Sequence, residues 1–128
     1  MPANFVLLVA RILLAIIFVM SGFGKLTNIA GTAGYFASYS LPAPTAVAVI
    51  VGLIELLGGL AVLVGFKTSI AAWVLAVFSV ASALVAHTDF ADQMQMINFL
   101  KNLAMAGGFL ALAVEGAGTI SVDGRRAA

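Results

Sequence analysis

Four long apolar segments restrict what this chain can fold into. Each is close to the roughly 20 apolar residues that a helix needs to cross a bilayer, and none contains an internal proline. Each is apolar on every face and does not alternate with period two, which favours helices over the strands of a membrane barrel. We therefore predict an all-α fold, an integral membrane bundle whose four transmembrane helices lie near residues 5–25, 45–66, 68–87 and 97–114.

The overall composition agrees with a membrane location. Of 128 residues, 63% are hydrophobic and 9% are charged, whereas a soluble domain averages roughly 45–50% apolar and about 25% charged residues. The absence of cysteine excludes disulfides, thiol catalysis, iron–sulfur clusters and thiolate zinc sites, and we predict no metal site. A net charge of +1 gives no indication of nucleic-acid binding.

The connections between the segments are unequal in length. Residues 26–44 form a longer connection between helices one and two, and its tyrosines predict a segment lying at the membrane interface. The chain as a whole is predicted to be a single transmembrane domain over residues 1–128, with a polar, glycine-rich tail outside the bilayer. An even number of spans places both termini on one side, and the small excess of Lys and Arg there predicts the cytoplasm.

Three charged residues inside the predicted helices are the most informative positions, namely Arg11, Glu55 and Lys101. A charge at the centre of a spanning helix costs about 2.5–3.5 kcal/mol on insertion scales, so such residues normally face the bundle interior and find a partner. Counting about 1.5 Å per residue along antiparallel helices brings Arg11 and Glu55 within reach of each other. The planar guanidinium suits a carboxylate, and we therefore predict an Arg11–Glu55 ion pair.

Helical spacing predicts that further polar side chains line up with this pair and form a continuous row across the bundle. Arg11 and Lys25 share one face of helix one, and Asn102 lies beside Lys101 on helix four. Candidates for ligand binding or proton handling are Arg11, Lys25, Glu55, His87, Lys101 and Asn102. The alternative is a salt-bridge network that only fixes helix register, although polar contacts between membrane helices contribute only about 0.6 kcal/mol on average.

The same spacing predicts which faces of the helices point inward. Helix one would bury Arg11, Ala15, Phe18, Gly22 and Lys25, helix two Ala48, Gly52, Glu55, Gly59 and Val62, helix three Trp73, Ala76, Val80, Ala83 and His87, and helix four Lys101, Met105, Gly108 and Leu112. Phe18, Trp73 and Met105 would then form the apolar walls of a slot. The paired glycines in these helices are interpreted as sites of close helix packing.

An ordered set of short motifs resembles the DoxX family. The motifs are Arg11 followed by Ile17-Phe18, Ser21-Gly22 and Lys25-Leu26, then Leu41-Pro42, Ile54-Glu55-Leu56, Gly58-Gly59, His87, Lys101-Asn102-Leu103, Gly116-Ala117-Gly118 and Ser121-Val122-Asp123. The resemblance implies a bacterial inner-membrane protein with four transmembrane helices. It also implies a link to a thiosulfate:quinone oxidoreductase subunit, to tolerance of quinones and oxidants (oxidative stress), and to membrane complexes that include superoxide dismutase. The six candidate residues match the family pattern.

Three functions remain open at this point. The first is a quinone- or redox-linked membrane subunit that binds a small ligand at the charged cluster, with a partner or cofactor supplying electrons. The second is a carrier for a small solute or protons, and the third is a non-catalytic scaffold for an oxidoreductase complex. The expected partners are the lipid bilayer, a quinone or other small molecule, an oxidoreductase, and a second copy of the chain in a homodimer. No cofactor and no enzymatic activity is established by the sequence.

Overall fold

The computed structural model describes residues 2–127. This part of the chain contains six helices and no strand, and the helices are α1 (Ala3–Thr27), α2 (Ile29–Ala37), α3 (Pro44–Val64), α4 (Thr68–Ala86), α5 (Gln93–Glu115) and α6 (Val122–Ala127). Four of them, α1, α3, α4 and α5, are long and apolar enough to cross a membrane. The prediction of an all-α fold with four membrane-spanning helices is confirmed.

Local sequence signals explain where the spanning helices begin and end. Pro44 opens α3 at a position where its missing N–H is not needed. Gly65, with a φ of 74°, closes the same helix in the left-handed conformation that glycine adopts without strain. The start of α5 at Gln93, earlier than the predicted residue 97, follows from Asp92, whose side chain accepts a 3.0 Å hydrogen bond from the Met94 N–H.

The longer connection between the first two spans contains the short helix α2. Asn28 caps its start by accepting a 3.2 Å hydrogen bond from the Gly31 N–H. Its far end carries Tyr35, whose hydroxyl lies 2.9 Å from that of Tyr39. Because α2 packs mainly against α3, the connection lies along the bundle. Its position at the membrane interface stays a prediction.

The bundle is assembled from two tightly packed antiparallel pairs, α1 with α3 and α4 with α5. In the first pair, a side chain at Gly22 would meet the backbone of α3, and one at Gly59 would meet the backbone of α1 at Val19. The two pairs meet in a common core, where the Phe18 and Phe109 rings pack edge to face with centroids 5.4 Å apart. Small residues therefore set the spacing within a pair, and aromatic rings fill the space between pairs.

Large apolar side chains cover the outside of the bundle. Those with more than half of their surface exposed on the spanning helices include Leu13, Met20, Phe23, Leu57, Ile70, Val77 and Leu84. An apolar exterior of this extent is expected where lipid replaces water as the solvent.

The predicted inward faces are confirmed for two helices and partly wrong for the other two. The buried residues of α1 and α3 are those expected from spacing, apart from Lys25, which is partly exposed. On α4, Trp73 is 54% exposed and Val80 also faces outward, because the close contact with α5 is made by small residues such as Ala72 and Ala76. On α5, Leu112 is buried and Met105 and Gly108 are half-buried as predicted, but Lys101 is exposed and Phe109, which was not predicted, occupies the core.

Because α1 packs closely on α3, alanine at Gly22 and alanine at Gly24 should have different effects on stability. A methyl group at Gly22 would lie 2.5 Å from the backbone nitrogen of Leu56, whereas one at Gly24 meets nothing within 4 Å. We expect Gly22→Ala to destabilise the fold by about 1–3 kcal/mol through overpacking, and Gly24→Ala to be neutral or mildly stabilising. Thermal unfolding of both variants in the same detergent measures this difference, and equal behaviour of the two would contradict the packing.

Candidate functional site

The polar side chains of the spanning helices form two separate groups and not one continuous row. One group lies at the end of the bundle that holds both termini, where the Asn4 side chain accepts a 3.1 Å hydrogen bond from the Thr119 N–H. We call its members Arg11, Thr68 and Asp123 the termini-end cluster. The other group lines a cavity towards the opposite end, the far-end cavity. Between the two groups, Ala15 and Phe18 are buried in the core.

The predicted Arg11–Glu55 ion pair is wrong. Arg11 is fully buried, and its Nη1 donates to the Leu63 carbonyl at 3.0 Å and to the Val62 carbonyl at 3.4 Å, while its Nη2 donates to the Ile120 carbonyl. The last carbonyls of a helix lack partners within the helix and carry the negative end of its dipole. Arg11 therefore satisfies the end of α3 and ties the C-terminal segment to it.

Asp123 completes the termini-end cluster by capping the start of α4. Its Oδ1 accepts from the Lys67 N–H at 2.7 Å, and its Oδ2 accepts from both the N–H and the hydroxyl of Thr68, at 2.8 Å and 2.7 Å. Its own N–H donates to the Gly65 carbonyl at 2.8 Å. The C-terminal segment thus closes over the turn between α3 and α4.

The environment of this carboxylate favours its charged form. Burial on its own would raise the pKa of Asp123, but the hydrogen bonds from Thr68 and Lys67, together with the charge of Arg126, outweigh burial and hold the pKa below its ordinary value. The termini-end cluster is therefore a structural clamp whose groups are engaged with backbone. The alternative of a network that only fixes the helices describes Arg11 well.

The far-end cavity has a volume of about 250 Å³ and is lined by all four spanning helices and α2. Its polar lining comes from Ser21, Lys25, Glu55, Ser79, Ser82, His87 and Asn102, with Tyr35 at its rim, and its apolar walls include Ile17, Phe18, Phe36, Val51, Phe78, Ala86 and Met105. Four of the six predicted site residues, Lys25, Glu55, His87 and Asn102, are thus brought together.

An ion pair inside the cavity joins the first helix pair. Lys25 Nζ lies 2.7 Å from Glu55 Oε1 and donates a hydrogen bond of 2.6 Å to the Ser21 hydroxyl. The Glu55 side chain is only 7% exposed, and its Oε1 has no aligned hydrogen-bond donor among residues 2–127. An ammonium group has three protons, so Ser21 and Glu55 leave at least one for a further acceptor.

On the other side of the cavity lie groups from the second helix pair. His87 is half-buried, and its Nδ1 forms a 3.1 Å hydrogen bond with Gln95 Oε1. In the neutral ring with its proton on Nδ1, Nε2 is an acceptor. The half-buried amide of Asn102 forms no hydrogen bond with any residue in the described part of the chain. Both helix pairs therefore contribute hydrogen-bonding groups to the lining of a space whose other walls are apolar.

Three residues that the sequence placed at this site lie outside it, and the first of them, Arg11, belongs to the termini-end cluster. Lys101 is exposed on the surface of α5, because the helix turns Asn102 and not Lys101 towards the interior. Trp73 was expected in the wall of the slot but lies on the outer face of α4. Snorkelling of the long Lys101 side chain to the interface explains why a charge is tolerated there.

Sequence reasoning missed the serines of α4 and the contribution of α2. Ser79 and Ser82 line the cavity one turn apart, and the Ser79 hydroxyl donates 2.7 Å to the Leu75 carbonyl, leaving its lone pairs free. The signal for them was the presence of two hydroxyls in the otherwise apolar stretch of residues 70–86. Tyr35 closes the rim, and its hydrogen bond with Tyr39, aided by burial, raises the pKa of Tyr35 to about 12, so it stays neutral.

The fold and the cavity define a class: a small four-span membrane protein with an ion pair inside a mostly apolar pocket. No group of His, Asp and Glu within residues 2–127 is placed to hold a metal ion. The profile of the DoxX family matches residues 6–88, and the chain belongs to this family.

Two relatives extend the family match over most of the chain. The chain is 43% identical over 116 residues to inner membrane protein YqjF of Escherichia coli (strain K12), covering 91% of this chain and 88% of that protein. It is 37% identical over 124 residues to inner membrane protein YphA of the same organism, covering 93% and 89%. No solved structure matches the chain significantly. These relatives and the four spans identify a multi-pass inner-membrane protein, while the cytoplasmic placement of the termini stays a prediction.

The low pKa of Asp123 predicts a pH-dependent stability. A carboxylate whose pKa is lower in the folded than in the unfolded chain stabilises the fold above its ordinary pKa of about 3.9, and this stabilisation is lost as the pH falls through the folded-state value. We expect Asp123→Ala to cost about 0.5–2 kcal/mol at neutral pH through the lost cap, with a smaller difference from wild type at strongly acidic pH. Thermal unfolding across pH measures it.

Asp89→Ala is the matched control, because Asp89 is exposed in the α4–α5 loop and its side chain makes no hydrogen bond with the described residues. A difference between Asp123→Ala and wild type that stays constant down to the lowest pH would contradict this assignment.

Proposed function

We propose that this protein binds a small carbonyl-bearing molecule of the quinone type in the far-end cavity, as a quinone- or redox-linked membrane subunit. The single observation that carries the proposal is the Lys25–Glu55 pair, with a Nζ–Oε1 distance of 2.7 Å, placed inside a cavity that all four spanning helices line. Ionisable residues within membrane spans are costly and commonly mark ligand sites or proton relays.

The chemistry of the lining fits such a ligand. A quinone has a flat apolar ring with two carbonyl oxygens that accept hydrogen bonds. The free proton of Lys25 and the unpartnered amide of Asn102 are suitable donors from opposite helix pairs. Phe36, Phe78 and Met105 supply apolar walls. Glu55 and the Nε2 atom of His87 are the groups that could accept a proton from a reduced, hydroxyl-bearing form of the ligand.

Binding fits the geometry better than passage of a solute. Phe18 lines the cavity on its termini side and packs against Phe109, and Arg11 beyond them is held by three backbone carbonyls. The polar groups are therefore separated by a packed core layer and do not form a path from end to end. In the redox role that the family resemblance implies, this chain would contribute the ligand site and an oxidoreductase partner the electrons.

A pair of lysine variants tests the proposal. We expect Lys25→Met to weaken binding of a methyl-substituted benzoquinone by about tenfold or more, because truncating a buried hydrogen-bonded charge typically costs 2–5 kcal/mol and 1.4 kcal/mol is tenfold. Lys101→Met, which removes the same charge from an exposed position on α5, should leave affinity within about twofold. Equilibrium binding to the purified protein in lipid nanodiscs measures both.

Glu55→Gln supplies an independent variant, since it removes the charge and keeps the shape. It should also weaken binding while the protein remains folded and is inserted at normal abundance. If Lys25→Met and Lys101→Met behave alike, or if wild-type protein binds no quinone, the proposed function is wrong.

A further inference from the structure

A second, apolar space adjoins the far-end cavity on the side of the bundle that faces lipid. This lateral groove has a volume of about 230 Å³ and runs between α2, α3 and α4. It shares part of its lining with the cavity, namely Tyr35, Phe36, Val51, Phe78, Ser82 and Ala86. The two spaces therefore adjoin along this shared wall, with the charged groups lining the first and only apolar and tyrosine side chains lining the rest of the second.

The groove follows from how the helices are joined. The tight turn at Gly65 holds α3 and α4 together at the termini end, where Asp123 and Arg11 clamp it. Over their whole length, the contact between α3 and α4 is much less extensive than the contacts within each helix pair. Small side chains on α4, Ser82 and Ala86, lie in the wall that the cavity and the groove share.

The volumes of the two spaces suggest that one ligand occupies both. Typical sites for drug-sized ligands measure roughly 300–1,000 Å³, and neither the cavity at about 250 Å³ nor the groove at about 230 Å³ reaches that range alone. The two together do. A molecule that fills both has a polar head among Lys25, Glu55 and Asn102 and an apolar chain along the groove.

We infer that the ligand is a single-chain amphiphile that enters sideways from the bilayer and lays its apolar chain in the lateral groove, an inference that rests on the proposed function. The occupant of the groove is the chain of the same molecule whose head occupies the cavity. Lipid is as apolar as the groove, so the chain gains little free energy by leaving the bilayer. The groove therefore decides which ligands fit, and the cavity supplies the affinity.

Two blocking variants on opposite walls test the groove. Ala81 on α4 and Val47 on α3 line the groove but not the cavity, and phenylalanine at either position would occupy the space of the chain. Ala104→Phe is the matched control, because Ala104 is exposed on α5 and lines neither space. The probes are a benzoquinone that carries a linear alkyl chain and the same ring with a methyl group in its place, measured in nanodiscs of one lipid composition.

We expect Ala81→Phe and Val47→Phe to weaken binding of the chain-bearing quinone by about tenfold or more, because phenylalanine would occupy the space of the chain, and to change the affinity for the methyl compound by less than about twofold. Ala104→Phe should leave the affinity for both compounds unchanged. If neither blocking variant discriminates between the probes while Glu55→Gln weakens both, the groove inference is overturned and the proposed function stands. If wild type binds neither probe, the proposed function fails and this inference with it.

Discussion

The antiparallel contact between α1 and α3 determines where every buried charge in this protein can go. Glycines on both helices bring the two backbones together, and the register that results places Arg11 at the C-terminal end of α3 and Lys25 beside Glu55 in its middle. A shift of one turn would remove both contacts at once. Packing of small residues, which gains van der Waals contact in lipid, thus sets the electrostatics of the bundle.

The carbonyl groups at the end of a helix compete with a carboxylate for the guanidinium group of Arg11. A carboxylate is the stronger partner for a guanidinium in isolation, yet Arg11 binds carbonyls because three of them converge at its depth and Glu55 already has Lys25. The third carbonyl comes from Ile120, in a segment beyond the last span. Counting the rise per residue along two antiparallel helices leaves out such a segment. The contact of Arg11 with Ile120 therefore could not be predicted from the sequence.

Spacing predicted the fold and half of the inward faces for a physical reason. On α1 and α3, charged residues and glycines lie on the same face of the helix. That face is therefore both the one that must avoid lipid and the one that permits close packing. On α4, alanines and serines occur on several faces, and only the packed neighbours decide which face is buried. The same holds for the site: Glu55 followed from its cost in a membrane and Lys25 from helical spacing, whereas Ser79, Ser82 and the wall from α2 depended on the tertiary arrangement.

The two polar groups have different roles: the termini-end cluster stabilises the fold, and the far-end cavity offers free groups to a ligand. The termini-end cluster has its donors and acceptors engaged with backbone, apart from the Arg11 Nε, and its work is to hold the turn between α3 and α4 closed. The far-end cavity keeps free hydrogen-bonding groups at Lys25 and Asn102, which a structure built for stability alone would have paired. The clamp holds one end of α3 and α4, and the lateral groove between these helices lies next to the cavity that contains the ion pair.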